Sequence, residues 1–108
     1  MASGNPEEYA LVLRISKIVD TLSVGTEQEL TEFEKTIEKE KITNDEKKKL
    51  DDKRIYLSEK IMQCLINLDS VECPPGFETA RQRRREGVRY SQKLLGRVDK
   101  AKAELADK

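Results

Sequence analysis

The sequence predicts an all-α fold, an elongated antiparallel bundle of three helices. Apolar residues recur at three- and four-residue spacing through three long segments. Short breaker stretches separate the segments, which makes successive helices antiparallel neighbours. The composition is 36% hydrophobic, 5% aromatic and 39% charged. That is too polar for a rounded globule and suits long amphipathic helices, each burying one stripe. Disorder competes for such a composition, but the net charge is zero and the apolar residues are periodic.

Residues 1–5 read as a disordered tail or cloning remnant. Residues 6–106 read as one bundle domain with helices at about 6–40, 44–71 and 76–106. Pro6 suits a first helical position, where its missing N–H would be unpaired anyway. Leu11, Ile15, Ile18 and Leu22 follow helical spacing, and Leu30, Phe33 and Ile37 keep the phase across Gly25. One reading is a single helix that tolerates an interior glycine at a cost of about 1 kcal/mol. The other splits it, with Thr26 and Glu29 as a capping box. The kept phase favours the continuous helix.

Thr43 and Glu46 form a capping box for helix two, whose stripe is Leu50, Leu57, Ile61, Leu65 and Leu68, with Cys64 alongside. Pro74-Pro75-Gly76 ends it. Helix three carries Phe77, Ala80, Val88, Ser91, Leu95, Val98 and Leu105 inward, with Gly87 as a weak point. Cys64 reads as a small buried hydrophobe in a reducing compartment, and Cys73 lies at no metal-ligand spacing from it. The expected location is the cytoplasm, with the nucleus also open to the chain.

Catalysis is not expected. The chain has no histidine, which removes the commonest general base and metal ligand. No glycine-rich loop precedes a helix, so no phosphate cradle is visible and no cofactor is called for. The carboxylates alternate with lysines at helical spacing and read as solvated faces. A slender bundle also lacks the dry concavity that splits the pKa values of a carboxylate pair. No window is apolar enough to span a membrane.

The charge is unevenly placed. Nine basic residues fall between Arg81 and Lys102, opposed only by Glu86 and Asp99, so helix three is a basic rod in a neutral molecule. Arg81, Arg85, Arg89 and Gln92 share one polar strip on it. Arg84 falls nearer the apolar stripe and must either snorkel past the core or point across the bundle end toward a partner. On helix two, Ile55, Met62 and Ile66 lie well away from the inner stripe, with Glu59 among them. A mixed apolar and charged outward patch is what a protein partner reads. A wide core margin with a solvated glutamate is the plainer account of the same residues.

Leu50-Asp51, Glu59, Leu68-Asp69-Ser70, Phe77, Arg81, Arg83-Arg84-Arg85, Val88, Gln92-Lys93-Leu94-Leu95 and Asp99 together resemble a BAG domain, gapless from Leu50 to Asp99. The first helix agrees in length and pattern only. The resemblance implies a three-helix bundle whose second and third helices grip the ATPase domain of the 70-kDa heat-shock chaperone and promote ADP release. Family contact positions are a mid-helix Glu, an Asp near the end of helix two, a basic pair after the turn and a Gln two turns on. They are occupied here by Glu59, Asp69, Arg84-Arg85 and Gln92. Arg85 stands where relatives more often have Lys and keeps the charge. Arg89, Met62 and Ile66 complete the expected partner-binding set.

Two other functions compete. A nucleic-acid binder would use the Arg81–Arg89 rod on phosphates, but Tyr90 is the only aromatic there and offers no stacking platform. Glu59 and Asp69 would also repel phosphate. A structural coiled-coil module would present Leu11, Ile15, Ile18 and Leu22 to another chain. The expectation is a monomer with a protein partner and no nucleic acid.

Overall fold

A computed structural model of the chain describes residues 6–39 and 41–107. The expected 1–5 tail lies outside the described residues. Three long helices pack side by side, and no strand occurs among the described residues. The molecule measures 56 × 19 × 15 Å, with a radius of gyration of 17.1 Å. A compact chain of this length would have a radius of about 13 Å. The bundle is therefore elongated, and nearly every residue lies within a side chain of solvent.

Helix α1 spans residues 6–37. It is α-helical over Pro6–Asp20, π-helical over Thr21–Thr26 and α-helical again over Glu27–Ile37. Thr26 makes no side-chain cap, so the chain does not restart there. Leu22, Thr26 and Leu30 are each fully buried at successive four-residue steps. A π turn, wider than 3.6 residues, accommodates that spacing without breaking the helix. The Thr26 hydroxyl donates to the Thr21 carbonyl, five residues back. The helix closes at Ile37, short of residue 40, in a tightened turn where Lys39 N–H reaches the Thr36 carbonyl.

Helix α2 spans Asn44–Asp69. Its N-cap is Thr43, whose Oγ1 accepts from the Glu46 N–H at 3.1 Å and donates to Glu46 Oε1 at 3.2 Å. Helix α3 spans Glu78–Ala106. It cannot begin at residue 76, because Gly76 has φ 94°, the left-handed conformation at which glycine is favoured. Phe77 N–H closes back on the Pro74 carbonyl at 3.1 Å, making Pro74–Phe77 a β-turn with proline and glycine at its centre.

One continuous interior runs down the bundle in two clusters. At the turn end, Ile15, Leu68 and Val71 pack with Leu11, Val19, Cys73 and Val88. Toward the other end, Leu22, Leu30, Phe33, Ile37, Leu57, Ile61, Cys64, Leu94, Val98, Ala101 and Leu105 pack together. Leu94, Ala101 and Gly87 are buried on α3, whereas Phe77, Val88 and Leu95 are only half-buried. The inward arc of α3 is thus rotated slightly from the predicted one. Gly87 is no weak point. A Cβ there would lie 3.0 Å from Val19 Cγ2 and 3.2 Å from Leu68 Cδ1, so its absence permits the close approach of all three helices. Burial pushes the Cys64 thiol up from its ordinary pKa, which keeps it unreactive.

Candidate partner-binding face

Some charged residues pair across the seams between helices. Glu29 of α1 receives Lys53 at 2.9 Å and Lys60 at 3.9 Å from α2. Tyr56 lies beneath both lysines, whose Nζ atoms are 4.8 and 5.4 Å from its ring centre. On the α1–α3 seam, Arg97 forks between Glu34, Glu27 and Thr31. Tyr90 donates to Glu27 at 2.6 Å. Burial, reinforced by that carboxylate, holds the Tyr90 phenol far above its ordinary pKa. Every seam that involves α1 is therefore stitched by paired charges.

The α2–α3 seam differs on its outer side. Lys53 and Lys60 mark the side of α2 that meets α1, and Tyr90 and Arg97 mark that side of α3. At 100° per residue, Glu59, Met62, Ile66 and Asp69 lie roughly 90–180° round α2 from those contacts. Arg85, Arg89 and Gln92 lie as far round α3, by the same geometry. Both strips therefore lie on the solvent sides of α2 and α3, turned away from α1. All seven residues are exposed, Met62 at 42% and Ile66 at 55%. Ile55, also 42% exposed, adjoins them. The side chains of Glu59, Asp69, Arg85, Arg89 and Gln92 make no hydrogen bond or ion pair with any described residue. Charges of both signs therefore stand unpaired beside exposed Met62 and Ile66.

Two contacts pin the register across this face. Gly87 abuts Leu68, and Arg84 Nη1 donates to the Val71 carbonyl at 2.8 Å. Stepping both antiparallel helices at equal rise puts Arg89 level with Ile66, Lys93 with Met62 and Gly96 with Glu59. Arg84 differs from the other candidates. It is half-buried, and one of its donors is committed to the end of α2. Neither alternative for Arg84 described this contact with its own chain, and the rest of its five-donor fork makes no other hydrogen bond to a described residue.

The stitched α1 seams were not foreseen from the sequence. Glu27, Thr31 and Glu34 do stand at i, i+4, i+7, which could have marked them as one face waiting for a cation. The four apolar residues of α1 that another chain would need are consumed internally, with Ile15 and Leu22 buried and Leu11 and Ile18 packed against them. Tyr90 is half-buried with its hydroxyl occupied, so it presents no ring to a base. Grooves of about 310 Å³ between α1 and α3 and about 500 Å³ near Asn44 and Lys102 lie away from the face. No group of histidine, cysteine and carboxylate side chains among the described residues could hold a metal ion. No described helix is long and apolar enough to cross a membrane.

Comparison with known proteins yields a family. A model of the BAG domain matches residues 14–101. No curated protein and no solved structure matches the chain.

Proposed function

We propose a function whose premise is the family: this chain belongs to the BAG domain family, which is a family of binding modules rather than of enzymes. The chain acts as a co-chaperone that binds the ATPase domain of the 70-kDa heat-shock chaperone and promotes ADP release. It works as a monomer in the cytoplasm without a cofactor. The observation that carries this reading is the set of exposed, unpaired charges on α2 and α3, among them Glu59, Asp69, Arg85 and Gln92, which stand at the positions that the resemblance assigns to partner contact.

The mechanism is non-covalent. Glu59 and Asp69 pair with basic groups of the chaperone, and Arg84, Arg85 and Gln92 engage acidic or polar ones. Arginine suits that role because its planar fork binds a carboxylate bidentately. Met62, Ile66 and the stem of Arg89 supply the apolar centre between them. The domain binds the chaperone better when its nucleotide cleft is open than when ADP holds it closed. Linkage then requires the domain to weaken ADP binding by the same factor. Once ADP leaves, ATP enters and the client is released.

The test is release of a labelled ADP from the isolated ATPase domain, with and without this domain. Release should accelerate, and ADP should weaken the complex in a pull-down. Binding that ADP leaves untouched would defeat the exchange mechanism while leaving the interface standing. A nucleic-acid function would instead show as a low-salt gel shift that vanishes as salt rises.

A further inference from the structure

We propose that the groove between the start of α2 and the end of α3 binds a ligand bearing clustered phosphate groups. It lies at the end of the bundle opposite the Pro74–Phe77 turn. The inference goes beyond the partner reading above and uses none of its contact residues.

The groove has a volume of about 500 Å³ and is lined by Asn44, Lys47, Lys48 and Asp51 of α2 and by Lys102 and Leu105 of α3. That volume falls among those of small-ligand pockets, about 300–1,000 Å³. Leu105 is buried and supplies an apolar wall. The charge of the groove is one-sided. Asp51 is held by Arg54 at 2.9 Å, so its carboxylate is already compensated. The side chains of Lys47, Lys48 and Lys102 make no ion pair or hydrogen bond with any described residue. On the other side of α2, by contrast, Lys53 and Lys60 both turn to Glu29. The lysines of the groove do not cap α3 either. That helix closes on its own backbone, with Asp107 N–H on the Ala103 carbonyl at 3.3 Å. Like charges gathered in one groove repel, and an anion entering it relieves the repulsion.

The kind of anion follows from the donors. The groove holds lysines and lacks a lining arginine. Compact ammonium groups on flexible stems act as point charges that suit phosphate oxygens, whereas a carboxylate is best matched by the planar guanidinium fork. A single phosphate monoester carries only about 1.5–2 charges at neutral pH and would leave much of the groove empty. Two or more phosphates on a small carbon skeleton match both the three ammonium groups and the volume. A free polyphosphorylated metabolite and the headgroup of a phosphorylated lipid share that chemistry.

The experiment has two arms. In one, myo-inositol hexakisphosphate is titrated into the domain while backbone amide NMR signals and the heat of binding are followed. In the other, the domain is sedimented with phosphatidylcholine vesicles that contain or lack phosphatidylinositol bisphosphate. Shifts should centre on residues 44–51 and 102–106. Lys47→Gln, Lys48→Gln and Lys102→Gln should each weaken binding roughly tenfold, the scale of one charged hydrogen bond, and the triple variant should not bind. Saturation in solution assigns the free ligand, and binding confined to the phosphoinositide vesicles assigns the headgroup. No binding in either arm, shifts centred on Arg81–Arg89, or a triple variant that binds like wild type overturns the inference. Lys102 lies about 15 Å along α3 from Gln92, so the triple variant should still bind the chaperone's ATPase domain. Its failure to do so would assign the groove to that partner and overturn the inference too. A wild-type domain that binds the phosphate probe but not the ATPase domain removes the partner reading and leaves this one standing.

Discussion

The packing of Val19 and Leu68 over Gly87 offers a sharp test of the fold. Gly87→Ala adds one methyl group facing Val19 Cγ2 at 3.0 Å and the two Leu68 methyls at 3.2 and 3.3 Å. Two effects oppose each other. Alanine stabilises a helix interior over glycine by about 1 kcal/mol. Overpacking a filled core costs about 1–3 kcal/mol. Leu68 is fully buried, and Val19 is β-branched and stiff about χ1, so neither methyl retreats cheaply. The net change is therefore a loss of about 0–2 kcal/mol. Gly96→Ala on the same helix carries the same propensity gain with no steric cost, because its surroundings are open. The gap between the two variants cancels propensity and isolates packing, at about 1–3 kcal/mol. Urea titrations followed by helical circular dichroism measure it directly. If Gly87→Ala is as stable as Gly96→Ala, the close approach of α1, α2 and α3 at this level is wrong. The register that aligns the partner face would fall with it.

The remaining expectations concern single side chains. Arg84→Ala should lower stability by about 1.5–3 kcal/mol, because it removes a charged donor from the Val71 carbonyl. Arg85→Ala should stay within about 0.5 kcal/mol of wild type, since its side chain is exposed and unpaired. Both should weaken binding to the ATPase domain, and equal stabilities of the two variants would contradict the bridge. Tyr90 has its phenol pKa raised from 10.0, so its contribution to stability is complete below pH 10.0 and is lost as pH climbs above it toward the folded-state value. Tyr90→Phe should flatten that alkaline fall in thermal midpoint above pH 10.0. An unchanged slope would show that Tyr90 is not held against Glu27.

How far the local code reached is plain at particular residues. Thr43 and Glu46 identify a helix start because a cap is settled by four adjacent residues. Pro74-Pro75-Gly76 identifies a break because proline lacks an N–H and glycine admits a positive φ. The outward placement of Glu59, Met62 and Ile66 follows from angular spacing on one helix. The family resemblance arose from the same stretch, Leu50 to Asp99, and the BAG match to residues 14–101 encloses it.

Pairing was not legible, because partners far apart in the chain meet only once the helices pack. Arg97 and Arg89 look alike in the sequence. One is bound by Glu34 and Glu27, while the other has no partner among the described residues. Arg84 gave two readings on a helical wheel, and its reach to Val71 depends on how deeply the end of α2 lies beside α3. Gly87 looked like a flaw until Val19 and Leu68 stood against it. The π turn likewise arises because α1 must keep Leu22, Thr26 and Leu30 all inward against two neighbours. Local sequence thus decided where the helices run, where they stop and which faces are apolar, since those depend on neighbours within a few turns. Packing across the seams decided axial register and which charges remained free, since both depend on atoms brought together from distant parts of the chain.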